Sequence, residues 1–125
     1  MTVLKALEIF DEENENDISD DIKKRWLSEL DLKIVGELNK NRDGLNKVGY
    51  TADKNDTTEL NAPEEFSEIY IIYLKMKMNY MLCEIERYNN SASLFNRLFY
   101  EMANYISRNF KMTIKNSVKV ELNNA

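Results

Sequence analysis

The sequence predicts an all-α fold, a small bundle of about four helices around a long central helix. Three observations lead there. One Pro and three Gly in 125 residues leave little material for a turn-rich β fold. Apolar residues recur at helical spacing through most of the chain. The stretch 66–85 is apolar on nearly every side: Phe66, Ile69, Tyr70, Ile71, Ile72, Tyr73, Leu74, Met76, Met78, Tyr80, Met81, Leu82 and Ile85, with a thin polar stripe at Glu68, Lys75, Asn79 and Glu86. A helix of that kind must be surrounded by other helices or by a partner. The length suits one domain with one core, with a short helix and acidic linker at 1–17, a helical core at 18–110 and a tail at 111–125.

Thr2 can cap a first helix over Val3–Asp11, with Val3, Leu7 and Phe10 on one face and Leu4 beside them. Glu12–Asp17 is polar and reads as a hinge. Ser19 is a good N-cap for a second helix, Asp20 to about Asn39, with Asp20 and Asp21 at the positive end of its dipole. Its core side is Ile22, Trp26, Leu30, Ile34 and Leu38, filled in by Leu27 and Val35; its polar side is Lys23, Lys24, Glu29, Lys33 and Glu37. Residues 40–61 break the pattern and read as a long loop, with Leu45, Val48, Tyr50 and Leu60 as its apolar anchors; a short hairpin there is compatible.

Pro63 can open the central helix at its first turn. Asn89-Asn90-Ser91 signals a turn into the last helix. There Leu94, Phe95, Leu98, Phe99, Met102, Tyr105, Ile106 and Phe110 form one face. The expected core is thus Trp26, Leu30, Ile34, Phe66, Tyr70, Tyr73, Leu74, Met81, Ile85, Phe95, Leu98, Phe99, Met102 and Ile106, with Cys83 as a small core residue beside them. Beyond Phe110, Val118, Val120 and Leu122 alternate with Lys119 and Glu121, which allows a short β segment in the tail.

Little here points to chemistry. The chain has no His, which removes imidazole bases and His metal sites. No Gly-rich phosphate loop occurs, and two loop stretches that imitate parts of a calcium loop each lack required positions, so no cofactor or metal is expected. Carboxylate pairs such as Glu84 and Glu86 come without a nucleophile or electrophile motif and read as surface charge. The single Cys forms no intrachain disulfide. The first residues lack a secretory pattern, and Ile69–Leu74 is too short an apolar run to span a membrane, so synthesis in the cytoplasm is expected.

Net charge is −5, and of 22 acids eight lie between Glu8 and Asp21 with no base among them. The remaining 14 acids face 17 bases, and Arg97, Arg108, Lys111, Lys115 and Lys119 make the C-terminal third positive. Tyr100, at the edge of the last helix, is a candidate subunit-interface residue together with Phe110, since aromatic residues recur at such interfaces.

Five strings are familiar in combination: Arg25-Trp26-Leu27-Ser28-Glu29-Leu30-Asp31, Leu60-Asn61-Ala62-Pro63, Glu68-Ile69-Tyr70 with Tyr73-Leu74, Glu84-Ile85-Glu86-Arg87-Tyr88-Asn89-Asn90-Ser91, and Leu94-Phe95-Asn96. Over about Ile18–Arg108 the chain resembles the head–tail connector (adaptor) proteins of tailed bacteriophages and prophages. The resemblance implies a non-enzymatic structural role in the virion neck. Such a protein forms a homo-oligomeric ring below the portal protein, extends the DNA channel and docks the next neck or tail-completion protein. DNA passes through without specific binding, and neither a membrane nor a small-molecule substrate is involved. An acidic segment facing that channel would repel DNA from its wall; Glu8, Asp11, Glu12, Glu13, Glu15 and Asp17 are the candidates. The residues alone also accommodate a helical adaptor or regulator binding a phage or host protein as a monomer or dimer, and a nucleic-acid-binding packaging factor.

Overall fold

The computed structural model describes residues 1–40 and 46–123, excepting the side chains of 110–123. Four α-helices follow in order: α1 Val3–Glu13, α2 Asp20–Lys40, α3 Ile69–Met81 and α4 Ile85–Asn123. Helix α3 is the central element, in contact with each of the others and most extensively with α4. Six consecutive residues, Ile69–Leu74, are buried on it, which takes partners on every side. Val3, Ala6, Leu7 and Phe10 of α1, Trp26, Leu27, Leu30, Ile34 and Leu38 of α2, and Phe95, Met102 and Ile106 of α4 close around it. Phe66, Leu98 and Phe99 are half-buried against this core. Tilted aromatic pairs stitch the α4 side, with Tyr73 and Phe95 at 5.2 Å and Phe66 and Tyr105 at 5.3 Å between ring centres.

The caps are where the sequence places them. Thr2 Oγ1 accepts from the Lys5 N–H at 3.1 Å, and Ser19 Oγ accepts from the Ile22 N–H at 3.4 Å. The polar stretch after α1 is a hydrogen-bonded turn instead of a hinge. Asn14 Nδ2 donates to the Phe10 carbonyl, Asn16 Nδ2 to the Asn14 carbonyl, and the Ile18 N–H to Asn16 Oδ1.

The segment before α3 contains no hairpin among its described residues. It runs as a strap along α1 and α2. Val3 and Leu4, whose N–H groups have no intrahelical acceptor, donate to the carbonyls of Thr58 and Asp56 at 3.0 and 2.9 Å, and Thr2 pairs with Glu59 as an antiparallel bridge. Tyr50 and Leu60 are buried as anchors, whereas Val48 is exposed; Leu45 lies outside the described residues. Gly49 passes so close to α2 that a Cβ there would meet Leu32 Cδ2 at 2.6 Å.

One carboxylate ties this strap to the bundle. Asp31, on α2, is fully buried. Its Oδ1 accepts from the Tyr70 hydroxyl at 2.6 Å and from the Asn61 N–H at 2.9 Å; its Oδ2 accepts from the Tyr50 N–H and from Asn61 Nδ2, each at 2.7 Å. The Tyr70 oxygen in turn accepts from the Ala62 N–H at 2.8 Å. Burial, and after it the adjacent Asp31 charge, holds the Tyr70 phenol far above its ordinary range, so it stays a donor.

Two expectations fail at the end of α3. The turn does not fall at Asn89-Asn90-Ser91, and the central helix does not reach Ile85. α3 stops at Met81, and Cys83 takes φ 57°, the left-handed region. The Glu84 N–H donates to the Asn79 carbonyl at 2.9 Å and the Cys83 N–H to the Tyr80 carbonyl at 3.1 Å, the paired bonds of a Schellman cap. Met81, Cys83 and Ile85 therefore sit exposed on a reversal and not in the core. Asn89 and Asn90 are exposed within α4, while the Ser91 hydroxyl donates back along the helix to the Arg87 carbonyl at 2.8 Å. The β segment allowed for the tail falls among residues whose side chains lie outside the described ones; the backbone of α4 is assigned to Asn123. Ile114, Val118 and Leu122 also step by four, so the same residues satisfy a helical period, and no Gly or Pro interrupts them.

Two stability predictions result. Asp31→Ala is expected to lower unfolding free energy by about 2–4 kcal/mol, because it strips several buried donors of their acceptor; a loss below about 0.5 kcal/mol in urea unfolding would show the clasp to be incidental. Cys83→Gly is expected to raise stability by about 0.5–1 kcal/mol, since Gly takes the left-handed cap without the Cβ penalty. A lower melting temperature for that variant would contradict it.

Candidate functional site

The surfaces left by this fold are a half-open groove, an apolar helix reversal and an acid-rich first helix. The groove holds about 770 Å³ and lies between the end of α1, one side of α3 and the first turns of α4. Ile9, Ile71, Ile72, Met78 and Leu94 give it an apolar floor. Asn79 and Ser91 are buried at its wall, where Asn79 Nδ2 donates to Ser91 Oγ at 3.2 Å. Asn79 thus leaves the polar stripe that the sequence suggests and becomes a buried link between α3 and α4.

The reversal after α3 carries Tyr80, Leu82 and Ile85, exposed to 69%, 54% and 72% respectively. Tyr80 rests on Tyr88 with ring centres 5.6 Å apart. Large apolar residues grouped on a surface mark contact sites more often than single ones do. Tyr100, a candidate interface residue, is exposed on α4; the side chain of Phe110 lies outside the described residues.

The acidic run divides by role. Glu8, Glu12, Glu13, Glu15 and Asp17 are exposed. Asp11 turns towards α2, where its Oδ1 binds Lys23 Nζ at 2.8 Å and accepts from Asn16 Nδ2 at 3.1 Å. Lys23, expected on the polar side of α2, is buried and also meets Asp20 at 3.2 Å. Burial is the largest single influence and works against charge on both partners, but their mutual hydrogen bond, the further bonds from Asn16 to Asp11 and from Lys23 to Asp20, and the opposite charges together outweigh it. The Asp11 carboxyl is held below its ordinary range and the Lys23 ammonium above its own. Elsewhere Glu29 Oε2 accepts from the Tyr73 hydroxyl at 3.0 Å and pairs with Lys77 at 3.4 Å, joining α2 to α3. Glu84, one of the carboxylates considered for acid–base work, pairs with Arg87 at 3.2 Å.

Among the described residues no group of His, Cys, Asp and Glu is arranged to hold a metal ion, and no helix is long and apolar enough to cross a membrane. Asp31, Lys23, Asn79 and Ser91 are the buried polar residues that sequence reasoning missed. For two of them the signal existed: Asp31 lies four residues from both Leu27 and Val35, inside the apolar stripe, and Lys23 lies three before Trp26. Comparison of the chain with known protein families, with curated proteins and with solved structures finds no match.

The Asp11–Lys23 pair predicts a pH dependence. The folded carboxyl titrates below 3.8, so its contribution is present above about pH 4 and is lost as pH falls through the lower folded value. The folded ammonium titrates above 10.5, so its contribution persists up to about that pH and is lost beyond it. Lys23→Met should flatten the acid limb of the stability profile below about pH 4. An acid limb as steep as in the unaltered protein would show that the pair does not couple α1 to α2.

Proposed function

We propose that this protein is a structural component of the head–tail joint of a tailed bacteriophage or prophage. In this reading it is a connector that assembles as a ring below the portal, extends the DNA channel and docks the next neck or tail-completion protein. It acts without catalysis and resides in the virion neck.

One observation carries the reading. The strings on which the resemblance rests are far apart in sequence, yet three converge on one buried carboxylate. Asp31 comes from the Trp-Leu-Ser-Glu-Leu-Asp string, Asn61 and Ala62 from the Leu-Asn-Ala-Pro string, and Tyr70 from the Glu-Ile-Tyr string. A fourth, Tyr88-Asn89-Asn90-Ser91, supplies the serine that meets Asn79. The strings therefore consist of residues that fix this chain's own architecture, and a likeness in such residues is a likeness in what builds a fold. The exposed apolar reversal suits a protein that functions by contact.

Electron microscopy of particles from a phage or induced lysogen lacking the gene tests this. Filled or leaking heads lying apart from complete tails are expected. Normally joined particles would reject the connector reading and favour a helical adaptor, while empty heads alone would point to DNA packaging.

A further inference from the structure

We propose that the reversal between α3 and α4 is a two-fold contact through which two copies of the free protein pair. The inference does not rest on the neck reading. A two-fold contact closes on itself and does not build a ring, so the pair is the state of the chain before any larger assembly.

The surface lies wholly among the described side chains. Tyr80, Met81, Leu82 and Ile85 are each about half exposed or more, at the end of the α3–α4 hairpin. Tyr80 rests on Tyr88, which joins the last turn of α3 and the first turn of α4 into one surface. Together these side chains present roughly 400 Å² of apolar surface, a size that on a monomer marks a contact site. Two such patches with their polar flanks bury about 1,200 Å², the low end of specific interfaces.

Charge selects a second copy as the occupant. The whole chain carries 22 acids against 17 bases, so two copies repel on most approaches. The stretch 75–88 instead carries Lys75, Lys77 and Arg87 against Glu84 and Glu86. Lys77 is held by Glu29 at 3.4 Å and Arg87 by Glu84 at 3.2 Å. Lys75 and Glu86 remain, one of each sign, exposed and without an ion pair among the described residues. A partner of one sign gains at one of them and loses at the other. A two-fold copy answers both, because Lys75 meeting Glu86 on one side of the axis repeats on the other. Complementary charge of this kind fixes register around an apolar centre.

Sedimentation velocity of the full chain from about 1 to about 300 μM tests this. The mass should rise from one chain to two, with a midpoint on the order of 10 μM for an interface of this size. Leu82→Glu with Ile85→Glu, at exposed positions, should hold the protein at one chain throughout, with its helical circular dichroism unchanged. Lys75→Glu and Glu86→Lys should each raise the midpoint about tenfold, and the two changes together in one chain should bring it back. A single chain at every concentration, growth beyond two, a pair that survives the Leu82 and Ile85 changes, or charge variants without mutual rescue would each overturn the contact. The particle morphology described above judges the neck role separately, so either reading can fail alone.

Discussion

The fold depends on burying one carboxylate among neutral donors. Isolated ionised groups are expensive to remove from water, and the usual remedy is a cation. Asp31 instead collects a phenol, two backbone N–H groups and an amide side chain. Those donors come from the strap and from α3, so desolvating the carboxylate requires all of them to be in place together. A segment of irregular backbone, which would otherwise carry many unsatisfied groups, is thereby fixed against α2. Its other carbonyls cap the first turn of α1, so α1, α2, α3 and the strap share one set of polar bonds.

The helical architecture was legible because it rests on periodicity. α1 and α2 begin at their predicted caps, and the apolar first half of α3 is buried on all sides as its composition requires. What was not legible follows from backbone geometry that leaves no compositional mark. The end of α3 is a left-handed cap normally occupied by Gly or Asn, and here the position holds Cys83. With no such signal the sequence does not mark the break, and the nearest Asn pair carries the turn pattern in its place. A turn six residues earlier than that pattern puts Met81, Cys83 and Ile85 on the surface and not in the core. The acidic run was visible as charge, but not that Asp11 leaves it to bind a buried lysine. That distinction needs the distance between two helices, which no single stretch contains.

The misplaced turn matters for function because it is where apolar surface accumulates. A Schellman cap often gains from an apolar contact between the residue after the left-handed position and the last helical turn. Here those residues are Glu84 and Asn79, and the apolar side chains nearby point outward instead. The local arrangement therefore costs stability twice, through a strained Cys and through exposed Tyr80, Leu82 and Ile85. Costs of this kind persist where something other than monomer stability is selected. A protein whose role is contact with other proteins is one such case.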